Sequence, residues 1–191
     1  MRKKTKLSQK LAGSLLKAAG WSSKGNLPEG RRFIVISAPH TSMWDFVIGR
    51  LFYFEHNLRA VVMIKKELFF FPLGWFLKKI GAFPVDRNKR DSSTIDQIVE
   101  AFSKEKDLIL TITPEGTRKK VKHWKKGFYI ISMRTEVPIL PSYFDYRTKT
   151  IGIGELFTPS GNYPEDMKQL LPFFTGVTAK HPEKFQLPDF H

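Results

Sequence analysis

The stretch RFIVISAPHTSMWDF, residues 32–46, contains the transition that decides the fold. Residues 32–38 form a short apolar run rich in β-branched side chains, which predicts a buried strand that ends at a proline. Apolar residues then recur at helical spacing over residues 44–54, which predicts a helix. The polar residues 40–42 therefore fall between the carboxyl end of a strand and the start of a helix.

The same alternation of strand and helix patterns continues along the chain. Each predicted strand is a short apolar run, and each predicted helix has the length of a globular helix. The further strands are residues 59–64, 108–112 and 139–144, and the further helices are residues 92–104 and 124–134. Strands that alternate with helices indicate an α/β fold, a layered domain with a largely parallel central sheet flanked by helices.

The N-terminal sequence predicts a basic amphipathic helix over residues 5–19. Leu7, Leu11 and Leu15 share one side with two alanines, and lysines populate the other side. Two interpretations are equally good: the helix lies in the plane of an anionic lipid surface, or it covers one side of the core. We expect a basic amphipathic N-terminal helix in residues 1–24 and the main domain in residues 25–191.

The composition is that of a basic globular protein. The chain has 191 residues, of which 41% are hydrophobic, and its 32 lysines and arginines against 18 aspartates and glutamates give a formal charge of +14. This charge predicts a polyanionic partner such as anionic lipid, nucleic acid or an acidic protein. The absence of cysteine excludes disulfides and cysteine nucleophiles. No apolar stretch approaches the ~20 residues of a membrane span and no secretory signal is visible, so cytoplasmic residence is expected.

Residues 65–80, KKELFFFPLGWFLKKI, concentrate aromatic side chains between paired lysines. Aromatic and basic groups together suit a boundary between water and lipid. The alternative is a core helix whose lysines extend to solvent, and the sequence slightly favours it for the buried half of the segment.

His40 directly follows the first predicted strand, and Asp45 lies five residues later. Five residues along a continuous helix would separate the two side chains, so they meet only if His40 lies in the turn and Thr41 or Ser42 caps the helix. A carboxylate bound to one imidazole nitrogen fixes the tautomer, and the other nitrogen can then take a proton from a hydroxyl. Taken alone, this spacing is also typical of a partly buried structural histidine.

Two further segments contain candidate binding residues. Arg87 ends the short predicted strand GAFPVDR, and its guanidinium can bind a phosphate, although a surface ion pair is the commoner role. In TPEGTRKK, residues 113–120, Pro114 and Gly116 shape a tight turn that projects Glu115 and is followed by three basic side chains. Such a turn can hold a phosphate or a developing oxyanion, and it is also typical of a simple turn with a basic rim.

Four segments of the sequence stand in a characteristic order. They are PHTSMWD at residues 39–45, GAFPVDR at residues 81–87, TPEGTR at residues 113–118 and VPILP at residues 137–141. In order and spacing the chain resembles the glycerolipid acyltransferase family, which includes the lysophosphatidic acid acyltransferases, over residues 33–145. The first segment has the family's His-x4-Asp pattern intact, and the combination is far more specific than any single segment.

The resemblance implies roles for the residues at matching positions. It implies His40 as the catalytic base, Asp45 as the residue that orients it, and Arg87 as a ligand for the phosphate of the acceptor. It implies an acceptor-binding turn made of Glu115, Gly116, Thr117 and Arg118. Members of the family use no metal or bound cofactor, take acyl-CoA or acyl carrier protein as the acyl donor, and have an α/β fold with a hydrophobic groove for the acyl chain.

We therefore expect residues 25–191 to be the acyltransferase domain of a peripheral enzyme at the cytoplasmic face of an anionic membrane. The expected reaction acylates the free hydroxyl of a lysophospholipid, converting 1-acylglycerol-3-phosphate to phosphatidic acid by direct transfer. One alternative is the O-acylation of a lyso-aminolipid, such as an ornithine or glycine lipid, which needs no phosphate ligand. The other is a non-catalytic basic module that binds lipid or nucleic acid; no nucleic-acid motif is visible, so nucleic acid is not the expected partner.

Overall fold

The computed structural model describes residues 6–79, 81–85 and 94–189. The strands are β1 Ser22–Lys24, β2 Arg32–Ser37, β3 Ala60–Lys65, β4 Ala82–Val85, β5 Leu108–Ile112, β6 Ile139–Asp145 and β7 Thr150–Ile153. The helices are α1 Lys6–Ala18, α2 Met43–Glu55, α3 Leu73–Lys79, α4 Thr94–Lys104, α5 Gly127–Thr135 and α6 Tyr163–Leu170. Short 3₁₀ helices cover Lys66–Leu68, Leu171–Phe174 and Pro182–Lys184.

The strands form one sheet in the order β1-β7-β6-β2-β5-β3-β4. Within the described residues the pairings are parallel, apart from the antiparallel pair of β6 and β7. Helices connect the parallel strands, because a parallel neighbour can be reached only by a crossover. The predicted α/β fold with a largely parallel central sheet is therefore confirmed.

The central strand β2 is buried on both faces, which explains its continuous apolar sequence. Ile34 and Ile36 contribute to one apolar cluster, and Phe33 and Val35 contribute to the other. The first cluster also contains residues of α4, α5 and α6, among them Phe102, Phe128 and Met167. The second also contains residues of α1 and α2, among them Leu16, Ile48 and Phe52. The sheet is thus a middle layer with a helical layer on each side.

Helix α1 packs on α2 through the side that contains Ala12, Gly13 and Leu16. Ala12 and Leu16 are buried, and Gly13 faces the end of the Glu55 side chain. The leucines that define the predicted amphipathic pattern lie on the outer side, namely Leu7, Leu11 and Leu15, which are 76%, 60% and 49% exposed. The leucine stripe therefore faces away from the core. The predicted division of the chain at residue 25 stays a prediction, and β1, which precedes it, pairs with β7.

The aromatic segment predicted at residues 65–80 follows β3 and includes α3. Phe70, Phe71 and Trp75 are all more than half exposed. Because β3 is parallel to β5, and β5 to β2, this segment begins at the same edge of the sheet as the turn after β2. Exposed aromatic side chains thus belong to a segment that begins at the edge that carries the predicted site.

Candidate active site

Two of the predicted motifs meet at the carboxyl edge of the sheet. Strands β2 and β5 are parallel neighbours, and Ile36 near the end of β2 pairs with Ile112 at the end of β5. The carboxyl ends of parallel strands lie at one edge of a sheet, where polar side chains can converge. The turn at residues 39–45 and the turn at residues 113–118 therefore lie side by side, although about 75 residues separate them.

The first turn brings His40 and Asp45 together through the start of α2. Ser42 is the N-cap of this helix, and its Oγ accepts a hydrogen bond from the Trp44 N–H at 3.2 Å. Asp45, three residues later, reaches back to the Ser42 N–H and completes a capping box. His40 stands before the cap, in the turn, so its ring meets the carboxylate that a continuous helix would have placed elsewhere.

The Asp45 carboxylate is saturated with donors. Its Oδ2 lies 3.1 Å from His40 Nδ1 and accepts hydrogen bonds from the N–H groups of Thr41 and Ser42, each at 2.9 Å. Its Oδ1 accepts a hydrogen bond from the Tyr146 hydroxyl at 2.6 Å. Because an ionised carboxylate can only accept, the contact assigns the proton of a neutral imidazole to Nδ1 and leaves Nε2 as an acceptor.

Burial of Asp45 alone would raise the pKa of this carboxyl, since only 3% of the side chain is exposed. The hydrogen bonds from His40, Tyr146 and Ser42 outweigh burial and lower the pKa of Asp45 below its ordinary value. The site therefore holds a charged carboxylate beside an imidazole that is 20% exposed. This arrangement can orient the imidazole and can stabilise a positive charge that develops on it.

Glu115 turns inward instead of projecting from its turn. Only 4% of this residue is exposed, and both carboxylate oxygens accept from the His40 N–H, Oε2 at 2.9 Å and Oε1 at 3.1 Å. Burial raises the pKa of Glu115 to about 7, although the hydrogen bond from His40 opposes this shift. Glu115 thus joins the second turn to the backbone of the first.

The remainder of the second turn faces solvent. Gly116 has a φ of +67°, in the left-handed region that favours glycine, and the Lys125 side chain packs beside its Cα. Thr117 and Arg118 are exposed, as are the lysines at positions 119, 120, 122, 125 and 126. The structure therefore places a cationic rim next to the turn of His40. The acceptor-binding role of Glu115, Gly116, Thr117 and Arg118 stays a prediction.

Arg87, the predicted phosphate ligand, lies outside the described residues. The groove predicted for the acyl chain also stays a prediction. An apolar cavity does lie between α2 and the sheet, but the residues that line it belong to the core beneath α2. They include Phe33, Gly49, Phe52, Leu140 and Phe144, and none of the predicted site residues.

Tyr146 and the C-terminal segment beside it were not predicted as part of the site. Tyr146 directly follows β6, whose carboxyl end lies at the same edge of the sheet as that of β2. Its N–H donates to the Thr178 carbonyl at 2.9 Å, and the His181 N–H donates to Thr41 Oγ1 at 3.2 Å. A tyrosine at the carboxyl end of a parallel strand was the available signal, but the segment around Thr178 has no pattern that points to the site.

Comparison with known proteins agrees with this geometry. The family model described as Acyltransferase matches residues 21–145, more than half of the chain. The chain belongs to the acyltransferase family. His40, Asp45 and Glu115 all lie within the part of this acyltransferase that the family model matches, whereas Tyr146 lies just beyond it.

Several relatives are known as 1-acyl-sn-glycerol-3-phosphate acyltransferases. The chain is 30% identical to one from Streptococcus pneumoniae over 63% of its own length and 48% of that protein. It is 33% identical to one from Saccharomyces cerevisiae over 56% of its length and 37% of that protein, and 35% identical to one from Bacillus subtilis over 64% of its length and 60% of that protein. The chain thus spans about half the length of these relatives.

A solved structure shows the same fold. The crystal structure of the 1-acyl-sn-glycerophosphate (LPA) acyltransferase PlsC from Thermotoga maritima matches with a TM-score of 0.59 and 20% identity, over 86% of this chain and 76% of that one. At this identity the likeness establishes the fold alone. Among the helices that the structure describes, none is both long enough and apolar enough to cross a bilayer.

Proposed function

We propose that this acyltransferase moves a fatty acyl group from a thioester, acyl-CoA or acyl carrier protein, to the free hydroxyl of 1-acylglycerol-3-phosphate, giving phosphatidic acid. The observation that carries the proposal is the contact of 3.1 Å between His40 Nδ1 and Asp45 Oδ2. It orients Nε2 as the proton acceptor in a partly exposed imidazole at the carboxyl edge of the sheet. The names of the relatives support the choice of acceptor.

The reaction is a direct transfer. His40 Nε2 takes the proton of the acceptor hydroxyl while the hydroxyl oxygen forms a bond to the thioester carbonyl carbon. The C–S bond then breaks, and the leaving sulfur takes the proton from His40, so that an ester and a thiol result. Ser42 is not required as a nucleophile, because its hydroxyl caps α2.

The negative charge of the transition state needs donors from outside the first turn. The N–H of His40 is engaged by Glu115, and those of Thr41 and Ser42 are engaged by Asp45. The turn that faces them supplies Arg118 and the neighbouring exposed lysines. In this proposal these cations, together with Arg87, stabilise the developing oxyanion and the phosphate of the acceptor.

The enzyme works as a peripheral protein at the cytoplasmic face of a membrane in this proposal. The stripe of Leu7, Leu11 and Leu15 is exposed on a helix whose other exposed residues include Lys10 and Lys17. An amphipathic helix with basic flanks can bury its apolar side at the level of the headgroups, and each lysine near an anionic surface contributes about 1 kcal/mol.

In the deciding experiment, purified protein is incubated with acyl-CoA or acyl carrier protein as the donor and with lysophosphatidate or a lyso-ornithine lipid as the acceptor. The products are identified by mass spectrometry. Wild-type protein should form phosphatidate, and His40→Ala should lose activity roughly 10²–10⁴-fold, the contribution of general-base catalysis. His56→Ala, at the far end of α2, is the matched control and should stay active. A fully active His40→Ala protein would remove the proposed base, and product from the ornithine lipid alone would replace the proposed acceptor.

A further inference from the structure

The two oxygens of the Asp45 carboxylate are held in different ways. Oδ2 is held locally, by the ring of His40 and by two N–H groups of the same turn. Among the described residues, Oδ1 is held by the Tyr146 hydroxyl, which lies 101 residues later in the chain and 2.6 Å away. The hydrogen bond is charge-assisted and short, of the kind that fixes geometry strongly.

Tyr146 is itself held in place by elements outside the first turn. The ring of Trp21, which precedes β1, stands edge-on to the Tyr146 ring, with centroids 5.1 Å apart. The Tyr146 N–H is bound by the Thr178 carbonyl, and Lys180 Nζ lies 5.9 Å from the centroid of the Tyr146 ring. These contacts come from two separate segments, so the hydroxyl is a fixed donor.

A fixed donor at Oδ1 matters because a carboxylate rotates easily. The terminal torsion of an aspartate is broad and roughly two-fold, so contacts to one oxygen leave freedom to tilt or to exchange the two oxygens. A donor on the second oxygen removes this freedom. The plane of the carboxylate is then set from both sides, and Oδ2 is kept towards His40 Nδ1.

We propose that Tyr146 is a positioning residue for acyl transfer, which holds the Asp45 carboxylate in the rotation that orients His40. The inference rests on the proposed role of His40 as the base. Tyr146 lies outside the four motif segments and one residue beyond the end of the family match at residue 145.

The surrounding charges agree with a hydroxyl that donates permanently. Burial and the hydrogen bond to Asp45 raise the pKa of Tyr146, so the hydroxyl keeps its proton at neutral pH. Among the residues that the structure describes, the charged and titratable groups around this pair include His40 and Glu115 from the two turns and Lys180 from the C-terminal segment. Lys180 also lies 4.9 Å from the centroid of Trp44, which places a cation next to the turn.

The test compares Tyr146→Phe with Tyr143→Phe. Tyr146→Phe keeps the ring that packs on Trp21 and removes only the donor. Tyr143 lies three residues earlier, on β6, with its ring packed on Phe173, and is the matched control. Tyr146→Phe should lower kcat about tenfold, as loss of a supporting hydrogen bond does in other sites, with the KM for both substrates within about twofold of wild type. Tyr143→Phe should keep the wild-type kcat.

A second measurement needs no substrate. The hydrogen-bonded proton on His40 Nδ1, assigned by its absence in His40→Ala, should be seen by NMR in wild type and in Tyr143→Phe, and should shift or broaden in Tyr146→Phe. An unchanged resonance in Tyr146→Phe, or no such resonance in wild type, would overturn the proposal. So would an unchanged kcat in Tyr146→Phe, or a loss of kcat in Tyr143→Phe equal to that in Tyr146→Phe. If wild type acylates no tested acceptor, the proposed function fails, while the resonance still decides the role of Tyr146.

Discussion

The turn at residues 39–45 leads into α2, and α1 packs on α2, but the polar groups of the turn have partners whereas the leucine stripe of α1 does not pack on the core. In the turn, three N–H groups and one imidazole nitrogen have carboxylate partners, and the Tyr146 hydroxyl donates to one of these carboxylates from outside the turn. In α1, the leucine stripe is exposed and belongs to neither apolar cluster that the structure describes. A closed polar network indicates a site that is rigid before the substrate arrives, whereas an exposed apolar stripe indicates a surface completed by something else.

The largest expected effect comes from breaking the closed network at its centre. Asp45→Asn removes the negative charge beside His40, and its NH2 group must replace either Oδ2, where it faces His40 Nδ1 and two N–H groups, or Oδ1, where the Tyr146 hydroxyl can no longer donate. The same change in a serine-protease triad costs about 10⁴ in kcat because the histidine adopts the wrong tautomer. We expect kcat to fall at least about 10³-fold, measured by the acyl-transfer assay.

The control for this variant is Asp107→Asn, an exposed aspartate just before β5, at the opposite edge of the sheet. It should leave kcat unchanged. Circular dichroism should show folded protein in both variants. A loss below about tenfold in Asp45→Asn would mean that His40 is oriented without the carboxylate, which contradicts the network as described.

A smaller effect is expected from Glu115→Gln, and it is seen in the pH dependence of the free energy of unfolding. The pKa of Glu115 is raised from its ordinary 4.5 to about 7 in the folded protein, so ionisation costs more in the folded state than in the unfolded state. The contribution of Glu115 to stability is therefore full below pH 4.5 and is lost as the pH rises to about 7. At 1.36 kcal/mol per pKa unit, wild type should lose about 3 kcal/mol relative to Glu115→Gln across this window.

Urea unfolding of both proteins at pH 4.5 and pH 8 measures this difference. His40 and Asp45 are the titratable neighbours of Glu115 in the site, and they are present in both proteins, so the subtraction isolates the substituted group. A difference in unfolding free energy that does not change with pH would show that Glu115 does not titrate in this range.

How much of the site the sequence predicts depends on the range of the interactions. The meeting of His40 and Asp45 follows from a helix that is capped by Ser42, and capping is local, so the geometry could be inferred from a few residues. The inward direction of Glu115 and the hydroxyl of Tyr146 depend on contacts 75 and 101 residues apart. Such contacts are set by the strand order, which no local pattern specifies.

The prediction of the fold from sequence was limited in the same way, because it depends on how local the signal is. Strands β2 and β5 were predicted within one residue because each is a buried apolar run. Strand β1 was missed, since its residues Ser22–Lys24 are all exposed and are strand only by pairing with β7. For α1, the sequence pattern predicts a leucine stripe and a basic side, but the residues that pack against the core are Ala12 and Leu16.

The smallest effect is expected from a substitution in the exposed leucine stripe of α1. Leu11 is 60% exposed at the centre of the leucine stripe, so Leu11→Ser should leave the core and the stability nearly unchanged. If the stripe enters lipid, the variant loses the transfer of one leucine side chain, about 2 kcal/mol, or roughly thirtyfold in partitioning to anionic vesicles. The matched control is Leu156→Ser, which is 46% exposed beyond β7 and should bind vesicles like wild type. Equal binding by the Leu11 and Leu156 variants, measured by co-sedimentation, would mean that the stripe does not meet lipid and that lysines alone hold the protein to the membrane.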